Sequence, residues 1–256
     1  MEERSLFILA AGLGNRLRPI TDTIPKVMVE IEAGMPLLEH EIRGFAAQGF
    51  RHFVINLHYL PDVIRNYFGD GGKLGLKIEY SDESDVLLDT AGAVRKAAPM
   101  LSNSFVLLYG DHLHVLDLRK LIAKHEALSP TITLLLKRSD LPQNGDLVRI
   151  DKEGNIMEWI ARPHNFHEFE HDMYLNTGAY VIEKEKLLPH ITKPIMSLDK
   201  EVIPTMLKRG LPFAAEPTDE DILDIGTPEK LEIARVWYQN KREKIKKWYG
   251  EFKPQK

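Results

Sequence analysis

The sequence predicts an α/β chain centred on an open, mixed but mostly parallel sheet with helices on both faces. Three observations carry this prediction. Short apolar runs alternate with amphipathic segments from the first residues, the rhythm of strand–helix–strand units. Several of these runs are apolar at every position, as strands covered on both faces are. After residue 130 the rhythm changes to closely spaced strands, so the later half is expected as an insertion around the same sheet.

The elements follow in order. LFILAA (6–11) is the first buried strand. Leu38, Ile42, Phe45 and Ala46 mark one face of a helix, with Pro36 at its first position and Gly49 past its end. HFVINL (52–57) is a strand, and a helix is expected over 61–68. LKIEY (76–80), a helix over 90–98, and FVLLYG (105–110) repeat the unit, followed by a helix over 117–127. ITLLLK (132–137), DLVRID (146–151) and NIMEWIA (155–161) read as antiparallel strands, the last two joined at Lys152-Glu153-Gly154-Asn155. AYVIE (179–183) is a further strand, and a helix near 197–208 is expected to be interrupted or kinked by Pro204. Thr227 and Pro228 open a last helix over 227–247.

Composition excludes several classes. The 256 residues are 43% apolar and 28% charged, with a net charge of −4, which is ordinary for a globular chain. No run of about 20 apolar residues is available to cross a membrane. The N-terminus lacks the basic region and cleavage site of a signal peptide, and the absence of cysteine removes disulfides, thiolate nucleophiles and Cys-zinc sites. A cytoplasmic protein without a membrane partner is expected. Residues 241–256 hold seven basic side chains against two glutamates, a local +5 that leaves −9 on the remainder. A nucleic-acid footprint belongs on the folded body, and this body is acidic, so no nucleic-acid partner is expected.

Residues 9–26, LAAGLGNRLRPITDTIPK, carry the strongest chemical signal. Gly12 and Gly14 follow a buried strand, where glycines let the backbone approach phosphate closely. Position 17 is Leu17, so a dinucleotide fingerprint is incomplete, and no Gly-Lys-Ser/Thr follows for a P-loop. Arg16, Arg18 and Lys26 follow instead. That density of cations suits a full triphosphate of about −4 charge.

This segment resembles the signature of sugar-1-phosphate nucleotidylyltransferases, also called NDP-sugar pyrophosphorylases. INLHYLPDVIRNYFGDG (55–71), LLDTAGAV (87–94), LLYGDHL (107–113), NGDLVRIDKEGNIMEWIARP (144–163), NTGAYVI (176–182) and DILDIGTPEKLEIA (221–234) are similar to further family segments in the same order. The resemblance implies a Rossmann-like sheet with a sugar-side β insertion. It implies a catalytic domain over residues 1–235 and a basic helical tail over 236–256 packed on it. Many family members carry a left-handed β-helix after the catalytic domain; here only the basic tail follows, and regulation through such a domain is not expected.

The implied reaction joins a nucleoside triphosphate to a sugar 1-phosphate and releases pyrophosphate. Lys26 and Arg16 are implied as catalytic, beside the α-phosphate and the β- and γ-phosphates respectively. Leu9, Ala11, Gly12, Gly14, Asn15, Glu83, Asp89, Thr90 and Gly92 are implied to hold the nucleotide. Asp111 follows a buried strand and Gly110, and Asp224 lies in a second matching motif; the pair is implied to bind Mg²⁺ or Mn²⁺. Gly145, Glu158, Arg162 and Asn176 are implied on the sugar side. Two positions depart from the usual pattern: Asp89 stands where glycine is usual, and Ala161-Arg162-Pro163 replaces Glu-Lys-Pro. Ala161 cannot accept hydrogen bonds from sugar hydroxyls, so either the sugar is unusual or another group substitutes, with Glu158 and Asn176 as candidates. The Thr90-Ala91-Gly92 core resembles guanylyltransferases acting on mannose or heptose 1-phosphates. Upstream lie Asp82, Glu83 and Asp85, and a carboxylate would accept the two N–H donors of guanine, so GTP is favoured, with a pyrimidine nucleotide as the alternative base. A nucleotidyltransferase for an alcohol phosphate and a non-catalytic nucleotide-binding relative are the competing functions. His112 with His114, and His164, His167 and His171, read as pocket and loop residues rather than zinc ligands. A homo-oligomer is compatible with the sequence.

Overall fold

The computed structural model describes residues 4–138 and 141–250. Its strands are β1 (Ser5–Leu9), β2 (Glu30–Glu32), β3 (Met35–Pro36), β4 (His52–Leu57), β5 (Lys77–Asp82), β6 (Ser104–Tyr109), β7 (His112–Val115), β8 (Ile132–Lys137), β9 (Leu147–Ile150), β10 (Ile156–Ile160), β11 (Met173–Glu183), β12 (Phe213–Thr218) and β13 (Asp221–Asp224). Its α-helices are α1 (Leu37–Ala47), α2 (Pro61–Phe68), α3 (Asp89–Ala97), α4 (Arg119–Leu128), α5 (Lys184–Leu187), α6 (Ile203–Lys208), α7 (Pro228–Asn240) and α8 (Arg242–Tyr249).

The central sheet runs β10-β9-β11-β6-β1-β4-β5, with β8 against β11 and β12 outside β8. The pairs β1–β4, β1–β6, β4–β5 and β8–β12 are parallel, and every ladder of the long β11 is antiparallel. The mixed sheet with a later β insertion is the architecture expected. Strands alternate their side chains across the sheet. Leu6 and Ile8 of β1 therefore pack with Ile42 and Phe45 of α1, Ile64 of α2 and Leu121 of α4. Phe7 packs on the opposite face with Val94 of α3 and Met206 of α6. Both faces are covered, which accounts for the uninterrupted apolar runs.

The structure departs from the sequence reading in three places. The final helix is broken at Lys241 into α7 and α8. The helix near 197–208 is interrupted just before Pro204, as expected, but its first part is a π-helical turn over Leu198–Val202, and Pro204 lies in the first turn of α6. Proline is tolerated there because the first-turn N–H groups have no helical acceptor. β12 was not expected. It contains Pro217 and pairs only with β8, and an edge strand is where proline can sit. The tail residues Glu251, Lys253 and Lys256 lie outside the described residues.

A third apolar cluster holds the last two helices down. Leu231, Ala234 and Tyr238 of α7 and Ile245 of α8 pack with Leu113 and Val115 of β7, beside Ile225 after β13. β7 and β13 form a separate antiparallel ribbon, with Asp224 opposite His112. This ribbon brings two distant acidic motifs together.

Candidate active site

A cleft of about 730 Å³ opens at the carboxyl ends of the parallel strands. Leu9 ends β1, Asn56 lies near the end of β4, Glu83 follows β5 and Tyr109 ends β6, and all four line it. The sheet order reverses here: from β1 the chain builds β4 and β5 on one side, then places β6 on the other. Open α/β sheets bind ligands at such a reversal.

The glycine turn forms one wall. Gly12 has open space where a side chain would stand, so its backbone is accessible to a phosphate. Gly14 sits at φ +65°, and a Cβ there would crowd Thr21 and Lys26. The Thr21 hydroxyl donates to the Gly14 carbonyl at 2.8 Å, which holds the turn above Lys26. Leu9, Ala11, Gly12, Gly14, Asn15 and Arg16 all line the cleft. Arg18 pairs with Asp22 instead.

Lys26 is nearly buried, and its ammonium donates to Asp111 Oδ2 at 2.8 Å. Asp111 and Gly226 complete this end of the cleft. The Arg16 guanidinium packs so closely on Gly226 that a Cβ there would lie 2.8 Å from Arg16 Nη2. Across the β7–β13 ribbon, the Ile225 N–H donates to the Asp111 carbonyl at 3.3 Å. Asp224 Oδ1 accepts from the Gly226 N–H, and Asp224 Oδ2 from Lys230 at 2.6 Å. Two carboxylates, Asp111 just before β7 and Asp224 at the end of β13, thus each face an ammonium. Burial alone would raise the Asp111 carboxyl, but His112 and then Lys26 hold it well below the ordinary carboxylate range. Burial likewise opposes ionisation of Asp224, and Lys230 followed by His112 reverses the direction. Among the described residues no third His, Cys, Asp or Glu joins the pair in a metal-binding group.

The opposite wall is the turn expected to receive the base. Glu83 is 1% exposed, and its two oxygens accept from Asn56 Nδ2 and the Leu88 N–H. Asn56 Oδ1 in turn accepts from the Ala10 N–H at 2.6 Å. Glu83 therefore ties the base turn to the end of β1 while it also lines the cleft. Asp89 has φ +59°. A left-handed position favours glycine, and aspartate is among the few residues that take it at modest cost. That explains how Asp89 occupies a place where glycine is usual. Asp89 and Thr90 line the cleft, and Gly92 does not. A Cβ on Gly92 would stand 2.3 Å from the Pro194 carbonyl oxygen, and its N–H donates to the Met196 carbonyl. Gly92 serves close packing of α3 on the 194–198 segment rather than ligand contact.

Of the residues expected on the sugar side, Glu158 is exposed on β10 and bound to Arg149, whose guanidinium also pairs with Glu170 and Asp172. Three carboxylates hold one guanidinium, so Glu158 is committed away from the cleft, which corrects its expected role. Arg162 and Gly145 instead flank Asp146, whose Oδ1 accepts from the Arg162 N–H at 2.8 Å. Asn176 lies beside Tyr180 and Asp199. His114 is fully buried against Glu41, while His164 lies against the Gly145 carbonyl and His167 against Gln143.

Sequence reasoning missed Asn56, Tyr109, Lys230 and Asp199. Asn56 carried a readable signal, a polar residue within the apolar run HFVINL. Asp199 carried none, because an acid in an amphipathic segment reads as a solvated face.

Comparison with known proteins agrees with this geometry. The Nucleotidyl transferase family model matches residues 6–241. A UTP–glucose-1-phosphate uridylyltransferase of Synechocystis sp. is 32% identical over 86% of this chain. A mannose-1-phosphate guanylyltransferase of Mycobacterium tuberculosis is 33% identical over 87%. The matched region spans 59% and 61% of those two relatives. In fold, the chain is similar to HddC from Yersinia pseudotuberculosis, with a TM-score of 0.77, 24% identity, and coverage of 92% of this chain and 99% of that one. No helix among the described residues is long and apolar enough to cross a membrane. From the family match and the cleft built on its motifs, the chain belongs to the nucleotidyl transferase family.

Proposed function

We propose that this protein transfers a nucleoside monophosphate from a nucleoside triphosphate, with GTP preferred, to a sugar 1-phosphate, releasing pyrophosphate. The observation that carries this reading is the meeting of Lys26 and Asp111 at the floor of a cleft walled by the glycine turn, with Arg16 and Asp224 beside them. Both reactants are anions. The barrier is the approach of one phosphate oxygen to the phosphorus of another, and positioning with electrostatic stabilisation supplies nearly all the catalysis.

In the proposed step, an oxygen of the sugar phosphate bonds to the α-phosphorus while the bond from that phosphorus to the α–β bridging oxygen breaks. The electron pair leaves with pyrophosphate, and no covalent enzyme intermediate forms. Lys26 is assigned to the α-phosphate, Arg16 to the β- and γ-phosphates and the Gly12–Asn15 backbone to the phosphate chain. Arg162 is assigned to the sugar phosphate, whose oxygens a guanidinium pairs bidentately. Asp111 and Asp224 are the residues that would hold Mg²⁺ or Mn²⁺. The fit rests on their chemistry: two hard carboxylates from neighbouring segments, each paired with an ammonium, with phosphate oxygens and water left to complete the shell. When bound, such an ion neutralises phosphate charge. Lys26 and Lys230 provide that neutralisation for the carboxylates when no ion is present.

The preference for GTP is supported by Thr90-Ala91-Gly92 and by relatives named mannose-1-phosphate guanylyltransferase, among them the mycobacterial protein at 33% identity. A cytoplasmic setting suits this chemistry, since nucleoside triphosphates are made and used there. The test is pyrophosphate release from each of four nucleoside triphosphates against glucose, mannose and heptose 1-phosphates and glycerol 3-phosphate. Release with GTP and a sugar 1-phosphate is expected. Release only with glycerol 3-phosphate would move the acceptor to the alcohol phosphates, a reading that Ala161 favours. No release from any pair would make the chain a nucleotide-binding relative without turnover.

A further inference from the structure

Behind the cleft wall at Tyr109 stands a carboxyl that the transfer step does not use. Asp199 lies in the π-helical turn over Leu198–Val202. Single π turns inside helices recur at functional sites. The Tyr109 and Tyr180 hydroxyls both donate to it, the latter at 2.8 Å, and Asn176 Nδ2 approaches at 3.5 Å. Tyr109 is at the same time a wall of the nucleotide cleft. Its ring sits where it does because Gly178 has no side chain: a Cβ there would stand 2.6 Å from the ring. Thr90, also lining the cleft, accepts from the Leu198 N–H through its hydroxyl at 2.7 Å, and the N–H groups of Ala91 and Gly92 donate to the Met196 carbonyl. The base turn and the Asp199 turn are thus fastened together. Asn176 links Asp199 to Asp146, since its side chain donates to Asp199 and its backbone N–H to the Asp146 carbonyl at 2.9 Å.

A sugar in this space needs hydrogen-bond acceptors for its hydroxyls. Ala161 offers none, and Glu158 is held by Arg149. We propose that Asp199, oriented by Tyr109, Tyr180 and Asn176, is the carboxylate that accepts a hydrogen bond from a ring hydroxyl of the acceptor and so selects a polyhydroxylated phosphate. Tyr180 and Asn176 donate to its Oδ1 and Tyr109 to its Oδ2, which leaves one lone-pair direction, on Oδ2, open to an acceptor hydroxyl. Asp199 is partly accessible to solvent although protein surrounds it, as a group at the back of a cleft would be. Leaving that carboxylate unpaired makes poor substrates of phosphates lacking the matching hydroxyl, which is how polar sites discriminate strongly.

This inference rests on the proposed transfer reaction, so its test has an arm that needs no turnover. In steady-state assays of the full chain with GTP and mannose 1-phosphate, Asp199→Asn is expected to raise KM for the sugar phosphate by tenfold or more. KM for GTP should stay within twofold. Asn retains an acceptor for Tyr109, so the fold is preserved, and Tyr109→Phe, which removes only the orienting hydroxyl, should give a smaller rise. In the second arm, mannose 1-phosphate alone should raise the melting temperature of the wild type and not of Asp199→Asn, since a ligand stabilises the state that binds it. Equal sugar-phosphate KM values in the two proteins, equal melting shifts, or no shift in either would overturn the proposal. Absence of pyrophosphate release together with a wild-type-only melting shift would defeat the transfer reading and leave the Asp199 assignment standing.

Discussion

Lys26 stands where the two charge systems of the cleft meet: its ammonium contacts Asp111, and its Cβ lies under Gly14 of the phosphate turn. Removing one electrostatic donor aimed at the transition state costs roughly 10²–10³ in turnover. Lys26→Ala is therefore expected to lower kcat by at least about 100-fold, with far-UV circular dichroism unchanged. A variant with wild-type kcat would remove Lys26 from the chemistry. The sequence made this residue legible because a fifteen-position ordered motif contains it. Glu83 shows what the motif could not convey. The residue type suits guanine recognition, and its two hydrogen-bond partners, Asn56 and the Leu88 N–H, come from elements 27 and 5 positions away. Whether a carboxylate also holds a loop depends on which donors the fold brings to it.

Strand and helix identities were legible where a run was long and its period clear, as in β1, β4, α2 and α3. They were lost where local pattern competed with tertiary contact. The break between α7 and α8 falls in a stretch whose composition favours continuous helix, and what lies beneath it explains the bend. Trp248 of α8 packs on α1 at Gly44, where a Cβ would overlap the indole at 1.9 Å. Its indole N–H donates to the Leu116 carbonyl at 2.7 Å. The chain turns at Lys241 so that this ring can reach α1, and Gly44 is the vacancy it fills. Inserting atoms into a packed site costs about 1–3 kcal/mol. Gly44→Ala is expected to destabilise the protein by that amount in urea unfolding. In a Trp248→Ala background the same substitution should cost close to nothing, since the colliding ring is gone. Two equal costs, with and without Trp248, would mean that the α1–α8 contact is not the constraint on Gly44.

The fold as a unit brings acidic groups from separated segments into one crevice, and that concentration of charge makes its stability depend on pH. Burial is the main cause of a raised Asp199 carboxyl, at about 6, with Asp146 adding to it; Tyr109, Tyr180 and Arg162 act in the opposite direction in part. In the unfolded chain the same carboxyl titrates near 3.9. Between those values the native state holds the proton and the unfolded state does not, so this group's contribution falls as pH rises from about 4 to about 6. Two units correspond to about 3 kcal/mol at most. His40 works the other way. Burial lowers its pKa despite Glu41 beside it, so its contribution is complete above about 6.5 and is lost on acidification. The wild-type profile superimposes both effects, and Asp199→Asn separates them. The stability difference between Asp199→Asn and wild type, from urea midpoints, should grow in favour of the variant between pH 4 and pH 7. A difference that stays flat across that interval would show that Asp199 ionises in the native state as it does in the unfolded chain. The crevice would then be far wetter than its packing implies.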